Sequence, residues 1–172
     1  MKLAAAPSLL APLFALATLA LPAVSHAQFR ATAHVGVEHL ARGGADTTML
    51  QMRAEASMRT ADFLDLGGYA QRLQRLDAGG EQSGWGLGVL ATFRPRPQDT
   101  VGLLAYGSLG YQRAPEGDNV YRSGLFFELG GGLAWRPAEI IDLELRGGFV
   151  GLVGGERDLT GFTAGLAVSL HP

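Results

Sequence analysis

Histidines are the first residues to consider for acid–base chemistry, and the sequence offers few of them. Beyond the amino-terminal segment they are His34, His39 and His171. Hydrolysis or acyl transfer needs a nucleophile with a base within hydrogen-bond reach. His39 follows Glu38, but no serine motif accompanies it. We therefore expect no catalytic residue and no enzyme, and a lipid-modifying activity that depends on His39 is the least favoured alternative.

The sequence also offers few residues that could bind a metal ion. His34 and His39 are five residues apart, so in a strand they would point to opposite faces and could not chelate one ion together. The acidic stretch with Glu116, Asp118 and Asn119 could hold Ca²⁺ only weakly, and an acidic turn explains it better. We expect neither a metal nor a cofactor.

Charged residues instead alternate with apolar ones. In the stretch 50–59, Leu50 and Met52 fall on one face of a strand, whereas Arg53 and Glu55 fall on the other, because side chains alternate with a period of two. The mid-strand polar positions of the whole chain are His34, Arg53, Glu55, Tyr69, Tyr106, Glu128, Glu144 and Arg146. Buried charges must pair, so we predict an interior network that blocks flow. A proton or small-ion path is the alternative.

Eight such alternating segments must position these residues. They are predicted at 29–39, 50–59, 64–76, 84–93, 100–112, 121–136, 141–153 and 162–170, with loops at 41–47, 77–83, 113–119 and 154–159. In the third segment the alternation of apolar and polar residues shifts by one position at Arg72-Leu73, which predicts a bulge. No helical period is present. Short connections between nearest neighbours predict an all-β fold, an eight-stranded antiparallel up-and-down β-barrel.

The aromatic residues indicate which face points outward. On the apolar face they lie at one strand end or the other, as Phe29, Phe93 and Trp135, and as Trp85, Tyr111, Tyr121 and Phe162. Two aromatic rings at strand ends are typical of two membrane interfaces. Connections of about seven residues after strands one, three, five and seven, and shorter ones between, suit the loops and turns of a transmembrane barrel.

Glycines on the polar face favour the same orientation. Gly86, Gly88 and Gly130 would leave room in a narrow lumen for long Arg and Glu neighbours. On a solvent-facing strand they would only weaken the sheet. The remaining alternative is a secreted, soluble, lipocalin-like barrel, with its apolar face inside around a small apolar ligand.

The first 27 residues predict a secretory signal peptide. Met1-Lys2 is positive, residues 3–24 are rich in Ala and Leu, and Ser25-His26-Ala27 forms a small-residue cleavage site. Residues 28–172 are then the barrel domain. The chain has no cysteine, so no disulfide holds it. Lys2 is the only lysine, and 13 arginines stand against 16 acidic residues with no basic stripe, which predicts no nucleic-acid partner.

With its signal, eight alternating strands and aromatic rings, the chain resembles the small bacterial outer-membrane β-barrels of the OmpA/OmpX type. The resemblance covers residues 28–170. It implies a place in the bacterial outer membrane, contact with outer-membrane lipid, and insertion by the barrel assembly machinery. One departure is the end of the chain, Leu170-His171-Pro172, where such barrels usually finish on an aromatic residue. We expect a role in envelope structure or in surface interaction, with an unknown extracellular partner bound through the outer loops.

Overall fold

Eight β-strands and no helix make up the described part of the chain. The computed structural model describes residues 29–42, 45–76, 82–96, 99–117, 120–154 and 158–171, so the predicted signal peptide lies outside the described residues. The strands are β1 (Phe29–Arg42), β2 (Ala45–Ala61), β3 (Leu64–Arg75), β4 (Ser83–Phe93), β5 (Val101–Gly117), β6 (Val120–Ala138), β7 (Ile141–Val153) and β8 (Leu159–Leu170). None of the described segments is a helix able to cross a membrane.

Antiparallel pairing runs around the whole barrel. Each strand pairs with the next, and β8 pairs with β1 from Ala31↔Leu170 to Ala41↔Thr160, which closes the sheet. The predicted eight-stranded antiparallel up-and-down barrel is therefore confirmed. Closure leaves no unpaired sheet edge, which is the requirement for crossing a lipid bilayer with strands.

The barrel has two distinct ends. We call the end that holds Phe29, Leu170 and the two-residue β2–β3 turn (Asp62-Phe63) the turn end. The opposite end, where β1 finishes and β2 begins, is the loop end.

Backbone pairing extends farther toward the loop end than the sequence predicts. The predicted loops at 41–47 and 113–119 are wrong, because β1 continues to Arg42, β2 begins at Ala45, and β5 remains paired with β6 as far as Gly117↔Val120. Only residues 43–44 and 118–119 separate these strands, whereas residues 94–100 separate β4 from β5. The predicted contrast of connection lengths between the two ends is therefore wrong as well.

The predicted phase slip in the third strand is absent. Arg72 pairs with Met52, and Leu73 pairs with Gln51, in one unbroken register. Leu73 is buried inside the barrel, and Arg72 is exposed on its outer face. The alternation of inward and outward side chains is therefore continuous. It looks interrupted in the sequence only because Leu73, an apolar residue, occupies an inward position.

Large apolar side chains cover the outside of the barrel, and polar ones occupy most of the inside. Leu103 is 67% exposed and Leu166 is 66% exposed, whereas Arg53 and Glu128 are buried. A soluble barrel requires the opposite polarity, so the lipocalin-like alternative is wrong. An apolar outer face on a closed barrel of this size is that of a transmembrane β-barrel.

Candidate functional site

All of the predicted polar interior residues point into the lumen and are buried. They are His34, Arg53, Glu55, Tyr69, Tyr106, Glu128, Glu144 and Arg146. The inward positions of six different strands contribute to this set, and direct hydrogen bonds or ion pairs connect six of its members. The interior of the barrel is therefore the place where a function-bearing arrangement would lie.

Arg53 and Glu128 form the centre of the interior. Arg53 Nη2 donates a 2.6 Å hydrogen bond to Glu128 Oε2, and Tyr106 Oη donates to the other carboxylate oxygen at 3.0 Å. Arg53 Cζ also lies 4.6 Å from the centre of the Tyr69 ring. Strands β2 and β6 are four strands apart in either direction around the barrel, so this ion pair spans the lumen.

Arg146 connects two carboxylates on other strands. Its Nη1 donates to Glu55 Oε1 at 2.7 Å, and its Nε donates to Glu144 Oε2 at 2.8 Å. Arg53 Nη1 lies 3.8 Å from the same Glu55 carboxylate, so the two arginines share it. Charge-assisted hydrogen bonds of this kind are roughly twice as strong as neutral ones. The predicted charged residues thus form one continuous network.

A second group of charges lies inside the turn end, and it was not predicted from the sequence. Arg30 Nη1 lies 2.5 Å from Asp142 Oδ2, and Arg94 Nη2 donates to Glu144 Oε1 at 2.7 Å. Asp65 lies within ion-pair distance of Arg30 as well, at 3.4 Å. These residues extend the alternation of inward-pointing side chains to the ends of the strands. Arg94 does so one residue beyond the end of β4. Following the period beyond mid-strand would have found them.

Above the central ion pair lies a closed ring of four hydrogen bonds. Gln51 Nε2 donates to Glu38 at 3.0 Å and to Gln71 at 3.1 Å. Gln71 then donates to Gln112 at 2.6 Å, and Gln112 donates back to Glu38 at 2.7 Å. Because Glu38 is on β1 and Gln112 is on β5, this ring also spans the lumen. It was missed because glutamine is not an obvious candidate for chemistry.

The lumen near the loop end is apolar, which the sequence analysis did not predict. Leu40, Met49, Leu73, Phe126 and Leu152 are each no more than 1% exposed, and they belong to one cluster of buried residues. Each occupies an inward position, so their side chains meet on the barrel axis. Close-packed apolar atoms therefore line the lumen at this level.

Inward tyrosines lie over glycines of the neighbouring strands. A Cβ atom on Gly130 would come within 2.6 Å of Tyr106 Oη, and one on Gly110 within 2.6 Å of Tyr69 Oη. Gly130 pairs directly with Tyr106, and Gly110 lies one strand beyond the glycine that pairs with Tyr69. Gly88, Gly110, Gly130 and Gly148 therefore make room for tyrosine rings, and Gly86 for Gln71, rather than for the predicted Arg and Glu neighbours.

His34 and His39 have few hydrogen-bond partners in the part of the chain that is described. His34 is 3% exposed, and neither of its ring nitrogens has a hydrogen-bond partner there. His39 Nδ1 lies 2.9 Å from Thr48 Oγ1, and its ring centre lies 5.2 Å from that of Phe162. No group of three or more potential metal ligands occurs among the described residues.

The seven predicted girdle residues lie on the outer face, at two levels. Phe29, Phe93 and Trp135 are at the turn end, and Trp85, Tyr111, Tyr121 and Phe162 are nearer the loop end. Trp85 and Tyr111 contact each other, with ring centres 5.7 Å apart. Phe63 was not among the predicted girdle residues, and its ring centre lies 5.4 Å from that of Phe93.

Comparison with known proteins gives structural matches only. No family model matches the chain, and no curated protein matches it. Among solved structures, neisserial surface protein A (NspA) is similar with a TM-score of 0.67 at 12% identity, covering 83% of this chain and 96% of that one. The N-terminal β-barrel domain of Pseudomonas aeruginosa OprF is similar with a TM-score of 0.59 at 16% identity, covering 86% and 100%.

Ail, the attachment invasion locus protein of Yersinia pestis, is a third similar structure. Its TM-score is 0.50 at 11% identity, and the match covers 84% of this chain and 97% of that one. At these identities the likeness establishes the fold, which is that of the small outer-membrane β-barrels of the OmpA/OmpX type. The fold and the apolar outer face together support a location in the bacterial outer membrane.

Proposed function

We propose that this chain is a structural protein of the bacterial outer membrane, that its own side chains close its lumen, and that it catalyses no reaction. Residues 1–27 act as the secretory signal, and residues 28–172 are inserted by the barrel assembly machinery. The loop end faces outward and the turn end faces the periplasm. The barrel contacts outer-membrane lipid and needs no cofactor.

The main observation that supports a closed lumen is that hydrogen bonds join opposite walls of the barrel at two levels. Arg53 to Glu128 is one such contact, and Gln112 to Glu38 is the other. A continuous water path along the axis would have to break both. The apolar cluster toward the loop end, which includes Phe126 and Leu152, adds a third barrier, because an ion crossing it would lose its hydration.

Conductance in planar lipid bilayers tests this proposal. The mature protein is refolded, and its boiled and unboiled forms are compared on a denaturing gel. This comparison checks that the protein is folded, so that an absence of current is not a result of misfolding. We expect no steady current from the folded form, while a porin in the same apparatus conducts. A reproducible single-channel current from folded protein would overturn the closed lumen and favour the small-ion path.

The absence of catalysis is supported by the surroundings of His39. Its hydrogen-bond neighbour is Thr48, and its other close contact is the ring of Phe162. The folded protein, incubated with phospholipid vesicles, should release no fatty acid. Release by the unmodified protein that is lost in His39→Gln would instead establish a lipid-modifying enzyme.

A second candidate function is contact with an extracellular partner at the loop end. The observation that favours it is the β5–β6 hairpin, which stays paired to Gly117↔Val120, six residues beyond Tyr111 of the aromatic girdle. A paired hairpin presents a pre-ordered surface, which lowers the entropic cost of binding. The name of the similar protein Ail refers to attachment. Cells that display a barrel with residues 114–122 replaced by a tight turn should then attach less than cells with the intact hairpin.

A further inference from the structure

Outward-facing charges on the strands are confined to the loop end of the barrel. Within the described ranges they are Asp46 on β2, Arg72 on β3 and Arg113 on β5, and all are exposed. No outward strand position near the turn end carries a charge in those ranges. This asymmetry suggests that Arg72 and Arg113 contact the membrane surface on one side of the bilayer only.

Arg72 and Arg113 lie at one level, with a tryptophan between them. Arg72 pairs across the sheet with Trp85, and Trp85 pairs with Arg113. Neighbouring strands are about 4.8 Å apart, so the two arginine Cα atoms are roughly 10 Å apart. Trp85 belongs to the aromatic girdle, which sits at the level of lipid headgroups. Both guanidinium groups can therefore reach the headgroups of adjacent lipids.

An aromatic ring contacts Arg113, one of the two arginines. Arg113 Cζ lies 4.4 Å from the centre of the Tyr121 ring, within the range of a cation–π contact. The Trp85 ring contacts Tyr111 from the neighbouring strand. We name the set Arg72, Trp85, Arg113 and Tyr121 the basic girdle patch.

The basic girdle patch has no counter-charge from the described chain. Neither Arg72 nor Arg113 forms an ion pair there, whereas Arg30, Arg53 and Arg146 inside the barrel each bond a carboxylate. The outward acid Asp46 lies six residues along β2 from Met52, which is the residue level with Arg72. That separation is roughly 20 Å along the strand, which leaves little attraction in a salt solution.

We propose that the basic girdle patch binds the phosphate groups of lipid A, the phosphorylated glycolipid of the outer leaflet. Guanidinium groups pair with phosphate in a bidentate geometry, and this pairing supplies the negative charge that the described part of the chain does not place beside them. The two arginines present two such groups at one membrane level, with Trp85 between them. The inference rests on the proposed orientation, in which the loop end faces outward.

The two tryptophans allow a direct test. With Trp135→Phe, Trp85 is the only tryptophan left, and it lies inside the basic girdle patch. This variant, folded in phosphatidylcholine nanodiscs, is titrated with bisphosphorylated lipid A while its fluorescence is recorded. We expect a saturable change in Trp85 emission. In the reciprocal variant Trp85→Phe, Trp135 at the other end should report no change.

Arginine substitutions make the test specific. Arg72→Gln with Arg113→Gln should weaken the binding of lipid A in this titration by about tenfold or more, since both guanidinium groups that would pair with the phosphates are removed. Arg96→Gln is the matched control, because it removes the same charge from an exposed position in the β4–β5 connection at the turn end. Its titration should match that of the parent variant.

Three outcomes would overturn the proposal. One is an equal response to dephosphorylated lipid A, and another is an unchanged affinity in the double arginine variant. A third is an equal response to inorganic phosphate, which would make the patch a site for the free anion rather than for the lipid. The titration uses purified folded protein, so these outcomes are independent of the conductance test and of the membrane orientation.

Discussion

Arg53 and Glu128 join opposite walls of the barrel through a 2.6 Å contact between Nη2 and Oε2. Both side chains are almost completely buried, so neither charge has bulk water as an alternative partner. The same carboxylate also accepts hydrogen bonds from Tyr106 and Ser108. Glu128 is thus the acceptor on which the centre of the lumen depends.

Replacing Glu128 with Ala should destabilise the barrel strongly. Arg53 would remain buried without its main partner, and breaking a buried pair in this way costs about 3–5 kcal/mol. The free energy of unfolding in urea, with the protein in phospholipid vesicles, measures the loss. The double variant Arg53→Met with Glu128→Leu should recover much of it, because no unpaired charge remains. Equal losses in the single and double variants would contradict this account of the ion pair.

Adjacent glycines on opposite faces should respond differently to a methyl group. A Cβ on Gly148 would lie 2.7 Å from the Leu129 carbonyl oxygen and 3.0 Å from Tyr106 Oη, whereas the nearest atom to a Cβ on Gly147 is 3.6 Å away. We expect Gly148→Ala to lower the free energy of unfolding by about 1–3 kcal/mol, the usual range for overpacking. Gly147→Ala should be nearly neutral. Equal effects would mean that the inward tyrosine does not restrict this position.

Truncating the apolar cluster should cost more than truncating the lipid-facing surface. Leu73 is fully buried in the lumen, whereas Leu66 on the same strand is 44% exposed on the outside. Leu73→Ala leaves a cavity and should cost about 2–5 kcal/mol. Leu66→Ala leaves a gap that lipid chains can fill, so its cost should be smaller. Urea unfolding of both variants in one lipid provides the comparison, and a larger loss for Leu66→Ala would contradict it.

His171 should make stability depend on pH. Burial, together with repulsion from Arg30, lowers the pKa of this imidazole, and Asp142 Oδ1 at 3.3 Å offsets only part of that effect. The unfolded chain therefore binds a proton at His171 more readily than the folded chain does. As a result, the free energy of unfolding should fall as pH drops below about 6.5. His171→Asn should flatten the unfolding free energy in that range. Parallel pH profiles for the two proteins would rule out this contribution.

The sequence predicted the fold because the alternation is locally complete. In the stretch 50–59 every second residue is apolar, and that pattern alone identifies a two-faced strand. The third strand was predicted poorly for the same reason. Leu73 is apolar at an inward position, so it looks like a break in the pattern although the register is continuous.

The interior residues were easier to predict than their partners. Arg53 and Glu55 stand out by charge and phase, but nothing local indicates that Arg53 reaches Glu128 on the opposite wall. That partnership depends on the register of several successive strand pairs and on the diameter of the closed barrel. The glutamine ring was missed because Gln51 and Gln112 gain their significance only from meeting Glu38.

The cross-lumen contacts also constrain the order of folding. Arg53 and Glu128 are 75 residues apart in sequence, and Arg30 and Asp142 are 112 apart, so neither pair can form within a single hairpin. Contacts of such long range form late and slow the folding of a chain. A partly inserted sheet would expose these charges to lipid, which is costly at mid-membrane depth. The polar lumen therefore makes half-inserted intermediates unstable and couples membrane insertion to the joining of β1 with β8.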